Sequence, residues 1–270
     1  MRLSFGLLAA ACLAACSRPG SDEAFQWSNQ LPAGSVVHIR DGAGNITVSR
    51  ASGQEAMVRG SRRWRRSGAD DVRFVVEQRN GDYYICAMWK NSGRCDGNYR
   101  GRNTSSLLSI FSLFHRSSDA AADFDVRLPA NVAIDAQTNI GSVQVDGITG
   151  GVTARAKNGT VRAVNVSGPL SLVSINGDVR LSAESLAPTD SVRLQTVNGS
   201  VHAELPAATE GTFDLSTTNG TVHSDIALSA SGTRARKHLG GQVGSAQRTV
   251  RLHTTNGQVV LTTRGSTVQD

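Results

Sequence analysis

The side chains best suited to chemistry in this chain are His202, Glu204, His223 and Asp225. They stand at matching places in two copies of one phrase, Gly199-Ser-Val-His-Ala-Glu204 and Gly220-Thr-Val-His-Ser-Asp225. Imidazole nitrogens and carboxylate oxygens form the ligand set of zinc and related transition metals. The two carboxylates alone could serve as the acid and base of a β-helical glycan-degrading enzyme. If the copies stack as neighbouring rungs, about 4.8 Å apart, all four groups share one patch. That patch would lie on an open strand face with nothing to exclude water, so a solvated surface is the competing expectation. The sequence has no Gly-x-Ser-x-Gly elbow, phosphate loop, His-Glu-x-x-His pair or calcium-binding glycine–aspartate repeat. No cofactor is expected.

The N-terminus bears on where any such chemistry would happen. Met1-Arg2 precedes an apolar run from Leu3 to Ala15 that ends Leu13-Ala-Ala-Cys16. The run is shorter than the ~20 apolar residues of a membrane span and reads as a secretory signal over residues 1–15. The small residues ahead of Cys16 resemble the lipobox of bacterial lipoproteins. That resemblance implies a mature chain that begins at Cys16, with lipid on its thiol and amino group. With Ser17 rather than Asp next, it also implies a lipid-anchored protein of the bacterial outer membrane. Residues 16–24 then make up the anchor and a short flexible tether.

Secretion sorts the remaining reactive groups. Cys12 falls in the signal and Cys16 is the lipid site, so an oxidising compartment would join Cys86 to Cys95. The short ring would contribute only ~2–3 kcal/mol of chain entropy. Two cysteines without a histidine between them lack a zinc spacing.

The formal charge of +6 is uneven, because Arg59, Arg62, Arg63, Arg65 and Arg66 crowd around Trp64. Five guanidiniums could bind phosphate or carboxylate in pairs, with Trp64 adding a cation–π contact. Nucleic acid is excluded by secretion. Lipopolysaccharide, acidic glycan or anionic phospholipid remain as partners. The alternative is a solvated loop that keeps a β edge from pairing.

The elements that must position these groups follow from a repeated phrase. It occurs at 138–143, 156–161, 174–179, 196–201, 217–222 and 254–259, each ending Gly-x-Val, with Asn before the glycine in all but the first. The glycines 141, 159, 177, 199, 220 and 257 are 18, 18, 22, 21 and 37 residues apart. A quasi-period near twenty marks units that bury apolar faces by stacking on one another. Two positions past the glycine stands Val143, Val161, Val179, Val201, Val222 or Val259, and five before it Ala136, Ala154, Leu172, Leu194, Leu215 or Leu252. Those are core columns. Threonine, serine or alanine three before the glycine suits a hydroxyl ladder, stacked asparagines can bond along the stack, and glycine supplies the φ a corner requires. With a second, variable corner per unit, the pattern predicts an all-β, right-handed parallel β-helix or solenoid of two-strand repeats. An antiparallel β-meander or sandwich is the alternative. It would use Asn-Gly as a hairpin turn, so that Thr196 faces Val201 and Val192 faces Leu205.

A single β-repeat domain is expected over 25–270. Strands at 25–90 include a hairpin around Asn80-Gly81, 91–122 is an inserted loop or short helix, and 123–265 holds the repeats. In the insertion Leu107, Ile110, Phe111 and Phe114 fall at helical spacing, which suits a capping helix or a contact with membrane or partner. Twenty-eight glycines and six prolines agree with short strands and tight turns.

Ile39-Arg-Asp-Gly-Ala-Gly44-Asn-Ile-Thr-Val48, Val126-Arg-Leu-Pro129, the Asn-Gly-x-Val repeats and Gly240-Gly241 before Val250 together resemble the bacterial putative-adhesin family of β-strand-repeat proteins, over about residues 35–265. The family is similar in appearance to autotransporter adhesin heads. The resemblance implies a β-helix-like fold, a cell-envelope role and no catalytic residues. The arginine cluster, the cysteine pair and the 103–118 insertion are not in the shared pattern. The expectation is therefore a non-enzymatic, lipid-anchored scaffold that binds a glycan, polyanion or protein. A periplasmic sensory or scaffolding component of envelope-stress signalling is the alternative, and a polysaccharide-active enzyme the third reading.

Overall fold

Strict alternation of apolar and polar residues over five to nine positions gives strands with one face buried. Val192-Arg-Leu-Gln-Thr-Val-Asn198 buries Val192, Leu194 and Thr196 and turns Arg193 outward. The computed structural model describes residues 20–64, 71–89, 93–97, 99–100, 120–230 and 236–264. Strands β1 (Gly20–Gln30), β2 (Val36–Asp41), β3 (Ile46–Arg50), β4 (Glu55–Trp64), β5 (Val72–Arg79) and β6 (Asp82–Trp89) make the N-terminal part. The middle holds β7 (Ala121–Leu128), β8 (Ala133–Ile140), β9 (Val143–Asp146), β10 (Val152–Asn158), β11 (Val161–Val166), β12 (Leu170–Asn176), β13 (Val179–Ala183), β14 (Val192–Asn198) and β15 (Val201–Leu205). The chain continues through β16 (Gly211–Asn219), β17 (Val222–Ser224), β18 (Ser229–Ala230), β19 (His238–Val243), β20 (Thr249–Asn256) and β21 (Val259–Thr263).

Each repeat is one strand in each of two sheets, joined at its Gly-x-Val corner. The first sheet runs β1-β4-β7-β3-β9-β11-β13-β15-β21-β17 and the second β18-β19-β16-β20-β14-β12-β10-β8-β2-β6-β5. Repeats pair in parallel and in phase, Leu172 beside Ala154 and Leu194, and Leu194 beside Leu252. Thr196 lies beside Thr254 of the next rung and does not face Val201 across a hairpin, which decides for the solenoid-like stack over the meander. The valine and leucine columns meet between the sheets, and all are fully buried except Val222 on the terminal rung.

The corner explains the repeated phrase. The N–H of Gly159 donates to the carbonyl of Asn176, that of Gly177 to Asn198 and that of Gly199 to Asn256, at 2.9–3.0 Å. Gly177 sits at φ +150°, and a Cβ there would overlap the carbonyl oxygen of Gly159 on the rung below. Inside the corner, Ser174, Thr196, Thr254 and Thr217 donate to the carbonyls of Gly159, Gly177, Gly199 and Gly257 at 2.8–3.0 Å. Outside it the asparagines bond in one line, Asn219 to Asn256 to Asn198 to Asn176 to Asn158, at 2.7–2.9 Å.

Stacking does not follow chain order at either end. Strand β19 pairs antiparallel with the outer edge of β16, so that edge is taken when the chain returns, and β20 and β21 enter between the previous two repeats. Arg248, 4% exposed, secures the entry by donating to the carbonyls of Glu210, Leu186 and Ala187 at 2.7–2.8 Å. At the other end β2 and β3 lie between β6–β7 and β8–β9.

Two sequence expectations are corrected here. Gly20–Gln30 is a strand paired with β4 from Gly20 opposite Trp64, so the tether cannot extend to residue 24. Phe25 and Trp27 hold it down by packing on Phe74 and Tyr83, ring centroids 5.3 and 5.1 Å apart. Arg59 to Trp64 is the end of β4, between β1 and β7, and not a loop. Arg65, Arg66 and the apolar residues Leu107, Ile110, Phe111 and Phe114 lie outside the described residues, as do Cys16 and the signal.

The Asn80-Gly81 hairpin is present, with Arg79 opposite Asp82. It supplies a control for the stacked corners, because at Gly81 (φ +90°) an added methyl meets nothing within 4 Å. Gly177→Ala should lower unfolding free energy by roughly 2–4 kcal/mol, and Gly81→Ala by roughly 1 kcal/mol. Urea titration with an unchanged slope checks both; equal losses would mean that rung contact at the corner is unimportant.

Candidate functional site

The outward columns of the first sheet carry the histidines and acids. Strand β21 separates β15 from β17, so Val260 stands between His202 and His223. Two rungs put the histidines roughly 9–10 Å apart, and the four-residue patch expected from sequence does not form. The cause is the late entry of the last repeat, which the phrase itself does not encode. His223 Nε2 is 3.2 Å from Asp225, whereas Glu204 accepts from the Ser182 hydroxyl at 2.6 Å. Among the described residues no group of three or more His, Cys, Asp or Glu side chains could hold a metal ion. Burial and, after it, the charge of Arg180 hold the His202 imidazole below its usual pKa. His202 and Glu204 instead line a shallow depression of about 630 Å³ with Arg162, Arg180, Val164 and Val260.

The arginine cluster is engaged within the fold. Arg62 makes a two-pronged contact with Asp22, at 3.1 and 2.6 Å. Arg63 does the same with Asp123, and Arg59 lies 3.7 Å from Glu23. Arg62 holds the Asp22 carboxyl below the usual range. At Asp123 burial acts upward, but Arg63 and the Asn45 N–H prevail and the net shift is down. Trp64 lies over Gly20, where a Cβ would meet its ring. The described part of the cluster therefore zips β1, β4 and β7 together instead of presenting unmatched charge to a polyanion.

Cys86 and Cys95 are joined, with Cα atoms 5.7 Å apart. The bridge fixes residues 93–97 and 99–100 on the outer face of β5 and β6, where Met88 and Tyr99 are buried with it. Tyr99 donates to the Ala87 carbonyl at 2.6 Å, and the Arg100 carbonyl accepts from Asn139 at 3.1 Å. Beside this cover lies a polar knot that the sequence reading did not single out. Asp135 accepts from Arg40 at 2.5 Å and from Arg155 at 2.9 Å, and stands 3.0 Å from His38 Nδ1. Burial pushes the Asp135 carboxyl up, but His38, Arg40 and Arg155 outweigh it and bring it down to about 2. The His38 ring stacks on Tyr84 at 4.1 Å.

Asp41 is the second group missed. It occupies the column in which other rungs carry Thr, Ser or Ala, and an acid in a buried hydroxyl column was a legible signal. Its carboxyl is fully buried. Burial drives its pKa well above the ordinary range and the charge of Asp123 adds to this, against donors at the Ala43 N–H and Thr138 hydroxyl.

Two facing sheets of mostly parallel rungs, open at both ends and joined through glycine corners, define an open solenoid-like β-stack. The chain belongs to the Toastrack DUF4097 family, whose model matches residues 115–262. The opening phrase at 39–48, the arginine cluster and the disulfide precede that match. A putative cell adhesion protein from Clostridium sporogenes ATCC 15579 shares the fold, with TM-score 0.51 and 11% identity over 92% of this chain and 100% of that one. A putative adhesin from Bacteroides fragilis NCTC 9343 aligns over 88% of this chain and 96% of its own at 11% identity and TM-score 0.39. At such identity the first likeness is one of fold alone, and no argument rests on the second. No curated protein matches the chain.

The raised pKa of Asp41 has a defined sign. The folded state holds this proton more tightly than the unfolded state, so stability falls as pH rises from the unfolded carboxylate range through the folded pKa. Asp41→Asn keeps an uncharged group there. It should stabilise the protein by roughly 1 kcal/mol at pH 7.5, with the gap closing near pH 4. Thermal melts of both proteins across that range check it; a variant less stable at pH 7.5 would show that Asp41 is held as the anion.

Proposed function

We propose that the protein is a non-enzymatic, lipid-anchored binding scaffold of the bacterial outer membrane that offers its stacked sheets to an envelope glycan or another macromolecule. The observation that carries this reading is the stack itself, which presents outward columns at regular rung spacing. The pair His202 and Glu204 on β15 is separated by β21 from the pair His223 and Asp225, with Glu204 bonded to Ser182 and His223 paired with Asp225. The description of the Clostridium protein as one of cell adhesion agrees with a binding role.

Lipidation rests on Leu13-Ala-Ala-Cys16. Because β1 begins at Gly20, only residues 17–19 would separate the fold from the lipid, and the β1 and β4 end of the stack would sit at the headgroups. Cys16→Ser should abolish labelling by a fatty-acid analogue and shift the protein from the membrane to the soluble fraction. Unchanged labelling ends the anchor. Protease shaving of intact cells then separates a surface scaffold, which is removed, from a periplasmic signalling component, which is spared. The purified chain should also be retained by isolated outer-membrane material, and failure to be retained ends the binding role.

A further inference from the structure

The depression on the first sheet holds a charge that the fold leaves unmet. Parallel register places Arg162 beside Arg180, and Arg180 beside His202. Like charges on adjacent rungs repel unless each finds a counter-ion. Arg180 has one in its own rung, Asp178 at 2.7 Å. The same place in the rung of Arg162 is Thr160, and Arg162 has no acidic partner among the described residues. The opposite sheet makes the contrast clear. There Arg193 and Arg251 are also rung neighbours, but Arg251 lies 3.2 Å from Asp214 and Arg193, without an acid of its own, donates to the neutral Gln195 amide oxygen at 2.7 Å, so each has a partner within the fold.

The rest of the depression suits a carbohydrate. Val164 and Val260 are half-buried there and offer apolar contact. Glu204 is bonded to Ser182 through one carboxylate oxygen, which leaves acceptor capacity for a sugar hydroxyl. With its pKa held down, His202 is mostly neutral at pH 7 and offers a single N–H. Rungs repeat every 4.8 Å or so, close to the length of one pyranose in an extended glycan, so successive sugar units would meet successive rungs.

We propose that this depression binds an acidic polysaccharide, the carboxylate of one uronate unit lying across Arg162 and Arg180 and neighbouring units running along the rungs toward Val260. The proposal rests on the binding-scaffold reading and gives that scaffold a ligand class and a site. Paired guanidiniums recognise carboxylate through charge-assisted hydrogen bonds, and both arginines are exposed to a ligand here. Thr160 is the specificity determinant, because an acid at that position would satisfy Arg162 from within.

Calorimetry with a short oligogalacturonate and a neutral malto-oligosaccharide tests this. The wild type should bind the first, more weakly as salt rises, and not the second. The Arg162→Gln, Arg180→Gln double variant should lose roughly tenfold or more in affinity. Thr160→Asp should weaken binding comparably with both arginines in place. Arg193→Gln with Arg251→Gln removes the same charge from the opposite sheet and should leave affinity unchanged, and melting curves report whether each variant is folded. No binding by the wild type, equal losses in the two arginine double variants, or tighter binding to inorganic polyphosphate than to the uronate would overturn the assignment. Retention on outer-membrane material without uronate binding overturns this site alone; loss of both overturns the scaffold reading as well.

Discussion

The structure depends on the contact at which one glycine corner lies on the next. A backbone N–H reaches the carbonyl of the adjacent rung only because neither corner carries a Cβ. This close approach sets the parallel register, and the register brings like residues into line. Once Leu172, Leu194 and Leu252 are in line, the core between the sheets is continuous. Threonine hydroxyls inside the corner and asparagine amides outside it then find their partners on the next rung without further adjustment. Buried polar groups in such a column are satisfied together or not at all, which is why the phrase is repeated nearly whole.

Stacks of this kind leave two problems at their ends: apolar faces with no further rung, and strands with unpaired edges. The protein meets both by folding back. At one end β19 runs antiparallel along β16 and the last repeat enters inside it; at the other, β4 and β5 close the parallel run and β1 is added outside β4. Aromatic rings fill the N-terminal end, where Phe74 packs between Phe25 and Phe124. Ion pairs from β4 to Asp22 and Asp123 bind its neighbours across the outer face.

The same arrangement distributes charge between the faces. On the second sheet Asp135 gathers Arg40, Arg155 and His38, and Asp214 gathers Arg251 and His238. On the first sheet the acids of β1 and β7 serve the arginines of β4, and farther along the stack Asp178 serves Arg180 while Arg162 is left in the depression. A column that alternates charge with carboxylate is closed to a ligand of either sign, and one that breaks the alternation is open to it.

Much of this was legible in the residues. The recurrence of Val at one place and Ala or Leu at another named the core columns, because burial demands the same chemistry on every rung. Asn-Gly at 80–81 predicted its hairpin through the positive φ values that both residues accept. Cys86 and Cys95 were paired by parity and compartment. What sequence could not supply was adjacency. The phrase looks the same whether its copies stack in chain order or not, so the separation of His202 from His223 is a property of the tertiary structure alone, in which β21 lies between them. The strand at 20–30 was hidden because its polar face reads as a tether until β4 and the aromatic residues at the N-terminal end give Phe25 and Trp27 something to pack on. The arginines of 59–63 likewise read as free charge until neighbouring strands brought Glu23, Asp22 and Asp123 opposite them. By itself the sequence determined the unit, its corner and its buried columns, since those are set by contacts each copy makes in the same way. The order of the units, and with it which charges are matched, was decided by the tertiary structure, since that depends on which strand edge is still free when each segment arrives.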